Sequence, residues 1–205
     1  MDNTLLTRRS SHATRPPLNV LGDMTLTPGR VHEFCGTARY TLAMLVASAT
    51  SGPIFWIAPA WGVNRLNPDG MVALVGPERF TFFCPRQPLD LLWCLEEVLR
   101  AGVVPLVVSD LPQLPGLTAV RRLHLAAETG AGEGKGAPLG VILTQGDGGA
   151  PAVESRWHIA PDHGSGHLRW RLSRRRARTL PPTDWWLSRV DGQFALDRHT
   201  DSSHM

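Results

Sequence analysis

Lysine is almost absent from this sequence of 205 residues, because Lys135 stands alone against twenty arginines. The phosphate-binding loops of nucleotide-hydrolysing enzymes rely on a lysine that holds the phosphates. Any chemistry that depends on a lysine therefore has only position 135 available. The preference for arginine is typical of a GC-rich genome as much as of selection for arginine chemistry.

Long apolar runs are also missing. None approaches the ~18 residues that a membrane-spanning helix needs, and residues 5–15 lack the apolar run of a secretory signal. The three cysteines, Cys35, Cys84 and Cys94, are scattered through apolar segments, which is typical of buried thiols rather than of a disulfide or a metal site. We therefore expect a cytoplasmic protein.

Positive charge is concentrated in the last quarter of the chain. Residues 156–189 contain eight arginines and two aspartates, a local balance of +6 in a chain whose net charge is +3. A basic segment of this kind favours an acidic partner or a nucleic acid.

The remaining composition, 42% hydrophobic and 19% charged, is ordinary for a globular protein of one domain with tails. Strand-like and helix-like segments alternate along it, which predicts an α/β fold with a mostly parallel sheet. The predicted strands are residues 30–35, 52–59, 79–85, 103–111 and 138–145, and the predicted helices are residues 38–50, 88–102 and 117–130.

The pattern changes after residue 150, where short alternating segments follow one another without helices between them. They predict two or three antiparallel strands added to the edge of the same sheet. We therefore divide the chain into a mobile basic arm at residues 1–20, an α/β core at 21–150, an antiparallel arginine- and tryptophan-rich extension at 151–192 and a disordered tail at 193–205.

A glycine turn between the first core strand and its helix has the position of a nucleotide-binding phosphate loop. That loop requires G-x-x-x-x-G-K-[ST], whereas Gly36 is followed by Thr37, Ala38, Arg39, Tyr40 and Thr41, without the lysine or the second glycine. The planar guanidinium of Arg39 does not replace a compact ammonium group.

The other parts of a hydrolytic site are incomplete. Thr41 or Thr37 could offer a hydroxyl to Mg²⁺, and Asp110 follows an apolar strand, but no acid follows the strand at 52–59 until Asp69. Because hydrolysis depends on these electrostatic parts, we expect no enzymatic activity, catalytic residue or cofactor. The loop could still bind a nucleotide or another anion through its amides and the helix dipole.

Several other patterns favour a structural interpretation. The Gly-Lys pair within residues 130–136 follows a helix instead of preceding one, which indicates a flexible loop. His163 and His167 lie in a Gly/Ser loop without a third ligand of fixed spacing, so we expect no metal site. Glu96 and Glu97 are adjacent on a helix, where we expect a solvated flank.

Four segments resemble the ImuA family, which comprises short RecA-like proteins of bacterial mutagenesis operons that are also grouped with the division inhibitor SulA. They are GRVHEFCGTARYTLAMLVA, GPIFWIAP, residues 91–130 and the closing RWRLSRRRAR with DWWLSRV. The resemblance covers about residues 28–191. It is most specific at residues 91–130, where W-x-x-E-E-x-L-R-x-G precedes a strand and then RRLHLAAE.

The resemblance implies a RecA-like core without an obligatory ATPase activity. It also implies an accessory role in damage-induced translesion DNA synthesis, as part of the SOS response. The implied partners are ImuB, which is a catalytically inactive relative of the Y-family polymerases, an error-prone DnaE-type polymerase and RecA. Residues 36–41 take the phosphate-loop position and Asp110 takes the acidic end of the second nucleotide strand.

The arginine-rich extension leaves two interpretations open. Trp170 and Leu172 share one face of a predicted strand, with Arg169 and Arg171 on the other. The arginines either are solvated at a sheet edge and discourage association there, or contact a phosphate backbone or an acidic partner together with exposed aromatics. The candidate contact residues are Arg169, Trp170, Arg171, Arg174, Arg175, Arg176 and Arg178.

A long loop at residues 59–70 is a second candidate contact. It contains Trp61 and Arg65, and the resemblance places it near the nucleotide and a neighbouring subunit. We therefore predict a non-catalytic adaptor of SOS mutagenesis that binds an ImuB-type protein and, in addition, RecA or DNA. The alternatives are a SulA-like inhibitor of the division GTPase FtsZ and a divergent ATPase.

Overall fold

The computed structural model describes residues 16–63, 65–133, 136–164 and 167–198. Its strands are β1 (Leu18–Leu21), β2 (Met24–Leu26), β3 (Val31–Cys35), β4 (Ile54–Ile57), β5 (Phe80–Phe83), β6 (Leu106–Asp110), β7 (Leu139–Leu143), β8 (Ser155–Pro161), β9 (Leu168–Ala177), β10 (Thr183–Val190) and β11 (Gln193–Arg198). Its helices are α1 (Arg39–Ser48), α2 (Pro68–Val72), α3 (Pro88–Ala101) and α4 (Leu117–Glu133).

Nine of the strands form one sheet in the order β11-β10-β9-β8-β3-β7-β6-β4-β5. The pairs from β5 to β8 are parallel, and β8 to β11 pair antiparallel. The predicted α/β class, with a mostly parallel sheet and an antiparallel C-terminal extension, is confirmed. The predicted extension contains three strands, β8, β9 and β10, and β8 pairs parallel with β3 while it pairs antiparallel with β9.

Helices cover both faces of the parallel part. Alternate residues of one strand enter different apolar clusters, since Leu106 and Val108 pack with α1 whereas Val107 packs with α3 and α4. β3 is buried along its whole length, which is expected of a central parallel strand. The phosphate-loop position therefore lies at the middle of the sheet.

Two predicted boundaries are corrected by the structure. The arm was expected to run to residue 20, but Leu18–Leu21 pairs with Met24–Leu26 in a hairpin whose Met24 and Leu26 are buried in the main core. The tail was expected to begin at residue 193, but Gln193–Arg198 pairs with β10 along six residues. In both places the strand forms a hairpin with its neighbour in the sequence, and its apolar side chains pack against the main core. The rest of the predicted arm and tail, residues 1–15 and 199–205, lies outside the described residues.

Helices α3 and α4 pack together closely. Gly102 ends α3 in the left-handed conformation, with φ of 59°, and a Cβ placed there would lie 2.3 Å from the carbonyl oxygen of Gly130. Glu96 was expected to be solvated, but it is 8% exposed and pairs with Arg100 and with Arg122 of α4 at 2.5 and 2.8 Å. Glu96 therefore joins the two helices.

No helix within the described residues is long and apolar enough to cross a membrane.

Candidate functional site

The loop from β3 to α1 is shorter than a phosphate loop. Three residues, Gly36, Thr37 and Ala38, separate Cys35 from the first helical residue. Gly36 has φ of 91°, and a Cβ there would lie 2.2 Å from the carbonyl oxygen of Ile159. Glycine is therefore required for a tight turn against β8, which is a structural reason for the residue that does not involve a nucleotide.

Main-chain amides of this loop are already bonded within the protein. The amide of Gly36 donates to the carbonyl of Gly146 at 2.9 Å, that of Ala38 to the carbonyl of Ile159 at 3.3 Å, and that of Arg39 to the carbonyl of Gly36 at 3.4 Å. A phosphate loop holds its ligand with free amides of this kind. These three amides are not available for that role.

Asp110, predicted at the acidic end of the second nucleotide strand, contacts two groups of α1. The hydroxyl of Tyr40, the single tyrosine of the chain, donates to Oδ2 of Asp110 at 2.5 Å. Nε of Arg39 lies 4.0 Å from Oδ1 of the same carboxylate. Burial and the bond to Asp110 raise the pKa of Tyr40 to about 12. The phenol therefore remains a protonated donor at neutral pH.

A buried carboxylate holds the neighbouring loop in place. Glu33, fully buried in β3, accepts hydrogen bonds from the Thr144 hydroxyl and from the amides of Gly149 and Ala150 at 2.7 to 3.1 Å. Nε of Arg156 donates to its other oxygen at 2.5 Å. Because the same loop supplies the Gly146 carbonyl that binds the Gly36 amide, Glu33 indirectly fixes the turn before α1.

A cavity of about 520 Å³ opens beside the first turn of α1, bounded by the loop after β4 and by α2. It brings together Thr37, Arg39 and Thr41 from the predicted nucleotide loop with Arg65 from the predicted contact loop. The apolar part of its wall includes Tyr40, Met44, Val63, Leu66 and Met71. Two candidate groups that were predicted separately therefore form one site, while Asp110 contacts Arg39 and Tyr40 and is not part of the wall.

The charged side chains that line this cavity are both arginines. Among the described residues no carboxylate lines it, and Asp110 lies behind Arg39, with Oδ1 4.0 Å from Nε. Arg39 is 9% exposed, and its Nε has no hydrogen-bond partner in the described part of the chain, although its Nη1 donates to the Gly36 carbonyl at 3.3 Å. Arg65 is exposed, and none of the described carboxylates lies within ion-pair distance of it.

Two of the predicted contact residues on β9 are corrected by the structure, because they face the core. Trp170 is 7% exposed and packs against Phe194 and His163. Arg174, also 7% exposed, places its guanidinium carbon 5.1 Å from the ring centre of Trp185 and donates to the Pro181 carbonyl. Both side chains are mostly buried, although Arg174 also lines a cavity of about 660 Å³ together with Arg171 and Arg175.

Three exposed arginines of β9 are paired with aspartates. Nη2 of Arg169 lies 2.7 Å from Asp162, Nη2 of Arg171 lies 3.1 Å from Asp184, and Nη1 of Arg175 lies 2.8 Å from Asp147. The hydrogen bond from Arg175 lowers the pKa of the Asp147 carboxyl. Arg169 also stacks on Trp186, with its guanidinium carbon 4.2 Å from the ring centre.

The remaining predicted contacts are exposed. Arg176 and Arg178 lie at the end of β9 beside a second cavity of about 470 Å³, and Nε of Arg178 lies 3.7 Å from Glu154. Trp61, on the loop after β4, is 47% exposed.

The described residues contain no group of three or more His, Cys, Asp or Glu side chains that could hold a metal ion.

Two residues with a structural role beside this loop, Tyr40 and Glu33, were not predicted from the sequence. Tyr40 has no role in a phosphate-binding motif, and its partner Asp110 is seventy positions away. Glu33 offered one signal, because a carboxylate in a strand that is buried must find partners.

Two curated proteins, both named Protein ImuA, are similar to this chain. They come from Caulobacter vibrioides strains NA1000 / CB15N and ATCC 19089 / CIP 103742 / CB 15, and each is 35% identical over 156 residues. The aligned region covers 66% of this chain, and the chain spans about 60% of the length of the curated relatives it matches. No protein-family profile matches the sequence. The resemblance to ImuA is therefore supported at modest identity.

Proposed function

We propose that this protein is a non-catalytic adaptor of damage-induced translesion DNA synthesis, which binds an ImuB-type relative of the Y-family polymerases. In this role it offers a RecA-like surface to its partners without nucleotide turnover. The error-prone DnaE-type polymerase and RecA would join the assembly through the same adaptor.

One observation carries the non-catalytic part of the proposal. The Asp110 carboxylate, which takes the acidic position of a nucleotide site, is engaged by the protein's own Tyr40 and Arg39. The chain also has no lysine in the loop. Phosphoryl transfer depends on free amides, a cation and a metal-binding carboxylate. Here the carboxylate and three amides of the loop already contact other protein groups, so we expect no phosphoryl transfer.

The similarity to two ImuA proteins supports the place of this adaptor in mutagenesis. The similarity extends over 156 aligned residues and 66% of this chain, rather than over one short motif. It supports an ImuB-type partner over FtsZ, the partner in the SulA-like alternative.

The arrangement of charges on the outward face of β9 favours a protein partner over DNA. Arg169, Arg171 and Arg175 each have an aspartate within 3.1 Å, so a phosphate backbone would have to displace these carboxylates. A surface of alternating arginine and aspartate suits a partner with its own pattern of charges.

Size-exclusion co-elution tests the proposal. The purified chain is mixed at micromolar concentration and moderate salt with an ImuB-type protein, with RecA and with FtsZ in separate samples. We expect a shared peak with the ImuB-type protein, with or without a second one with RecA. A shared peak with FtsZ alone would contradict the adaptor function and favour the division inhibitor. If no sample gave a shared peak, both binding functions would be refuted.

A further inference from the structure

The cavity between α1 and the loop after β4 has the chemistry of a peptide-binding site. We propose that it binds an extended segment of a partner protein in which a carboxylate side chain stands next to a large aliphatic or aromatic side chain. This inference rests on the proposed adaptor function and names the kind of sequence that its partner would contain.

The arginines of the cavity favour a carboxylate side chain in the bound segment. Arg39 and Arg65 both line it, and no acidic residue among the described ones does. Nε of Arg39 faces Asp110, with Oδ1 at 4.0 Å, whereas Arg65 is exposed and has no ion-pair partner among the described carboxylates. Thr37 and Thr41 add hydroxyl groups to the same wall. An incoming carboxylate would therefore meet the unpaired guanidinium of Arg65 and two hydroxyl donors.

The apolar part of the cavity wall favours a large apolar side chain next to the acid in the bound segment. Met44 and Met71 are 4% and 3% exposed and line the cavity together with Leu66. Methionine adapts its shape to different apolar ligands. A volume of about 520 Å³ lies within the ~300–1,000 Å³ of typical ligand pockets. The cavity therefore has room for apolar side chains as well as for the acid.

The mouth of the cavity extends this surface. Val63 is 92% exposed and lines the cavity, and Trp61 on the same loop is 47% exposed. Exposed large apolar residues beside a pocket mark interaction sites in soluble proteins. A segment of several residues could therefore contact Val63 and Trp61 while its acidic side chain lies near Arg65.

A nucleotide fits the same cavity less well. Its phosphates would require the main-chain amides that Gly36, Ala38 and Arg39 already donate to carbonyl groups. A single carboxylate needs only side-chain donors, which the cavity offers. The contacts inside the loop therefore favour an acidic peptide over a phosphate chain.

A selection from a display library of random ten-residue peptides, with the full chain as bait, tests this inference. We expect enrichment of sequences in which Asp or Glu lies within two positions of Leu, Ile, Phe or Trp. Binding of the enriched peptides, synthesised with a fluorescein label, is then measured by fluorescence anisotropy. Arg65→Glu and Val63→Asp should each weaken binding by about tenfold, as expected when an opposing charge or an apolar contact is reversed.

Matched controls are Arg121→Glu, an exposed arginine of α4, and Val103→Asp, an exposed valine before β6. Both should leave the affinity within about twofold, since a distant exposed charge is screened. Failure to enrich any acidic pattern, or equal losses in the controls, would overturn the inference. Saturable binding of ATP that Arg65→Glu removes, without peptide enrichment, would assign the cavity to a nucleotide instead.

The outcome can be separated from that of the co-elution experiment. If an ImuB-type protein co-elutes and the selection fails, the adaptor function stands and the cavity inference falls. If acidic peptides bind in the cavity and no shared peak forms, the peptide site stands and the adaptor assignment falls.

Discussion

His32 shows what single buried polar residues contribute to this fold. It is 1% exposed in β3 and sits in a chain of hydrogen bonds from Trp157 through Ser155 to the carbonyl of Thr27. The Trp157 indole donates to the Ser155 oxygen at 2.9 Å, which lies 2.7 Å from Nδ1 of His32. The neutral imidazole satisfies both of these hydrogen bonds, because Nδ1 accepts from the Ser155 hydroxyl and Nε2 donates to the Thr27 carbonyl. In an imidazolium Nδ1 carries a proton and could no longer accept from Ser155.

Stability should therefore fall in mild acid. Burial lowers the pKa of His32 from 6.5 to about 4, so between these values the unfolded chain binds a proton that the folded chain does not. The free energy of unfolding is then highest above pH 6.5 and decreases as the pH falls to 4, by on the order of 3 kcal/mol from this residue.

The measurement is urea unfolding at several pH values between 4 and 7.5 for the wild type and for His32→Gln. The variant should be less stable at pH 7 but should show a shallower loss toward pH 4. His124 and His158, whose pKa values burial also lowers, remain in both proteins and leave a common residual slope. Parallel curves for the two proteins would contradict the prediction.

At the scale of elements, a pair of glycines sets the distance between α3 and α4. Cβ atoms built at Gly102 and Gly130 would lie 2.3 and 2.1 Å from main-chain oxygens of the opposite helix. Real Cβ atoms do not approach so closely, so the helices could not keep this spacing with larger residues. The close contact also positions Glu96 between Arg100 and Arg122.

Two alanine substitutions in the same helix should have opposite effects. Gly130→Ala should lower the free energy of unfolding by about 2 kcal/mol or more, because α4 must shift against the main chain of Leu99. Gly132→Ala, where no atom lies within 4 Å of the new Cβ, should raise it by up to ~1 kcal/mol through helix propensity.

Chemical denaturation of the two variants beside the wild type provides the measurement. Gly132→Ala is the control for propensity, since both substitutions add the same methyl group to α4. Equal effects of the two changes would show that helix spacing is not set at Gly130.

At the scale of the whole molecule, the sheet carries two surfaces on opposite sides of β3. Among the described residues, the cavity beside α1 is lined by Arg39 and Arg65 and by no carboxylate, and the outward face of β9 contains arginines that are paired with aspartates. The proposed adaptor would use the first to hold a peptide and the second to align a larger charged surface.

Because protein groups occupy the nucleotide position, MgATP should not stabilise the molecule. At 1 mM, a ligand with a Kd of 10 μM would raise the free energy of unfolding by about 2.7 kcal/mol, which for a chain of this size is a Tm increase of about 5–10 °C. We expect a Tm change below about 1 °C. Thermal unfolding followed by circular dichroism, with and without 1 mM MgATP, measures it.

A magnesium-only sample separates an effect of the ion from one of the nucleotide. A reproducible increase of several degrees that requires ATP would contradict the closed nucleotide site and favour the divergent ATPase. Loss of that increase in Asp110→Ala would assign it to the predicted carboxylate.

The sequence by itself determined the class of fold and the absence of the lysine and the second glycine from the phosphate-binding motif. Alternating apolar segments predict the parallel sheet because hydrophobic period and strand length are local properties. Proline and glycine at either end of α3 gave its bounds for the same reason. The missing lysine was equally legible, since a motif is read from neighbouring residues.

Tertiary structure alone decided which residues face the core and which meet across the sheet. The alternation at Trp170 was read correctly, but the burial of Arg174 depended on Trp157 and Trp185 from adjacent strands. The contact of Tyr40 with Asp110 and the union of Thr37, Arg39 and Thr41 with Arg65 join segments that are far apart in the chain. Such contacts depend on how the strands are ordered in the sheet, and local sequence carries no direct signal of that order.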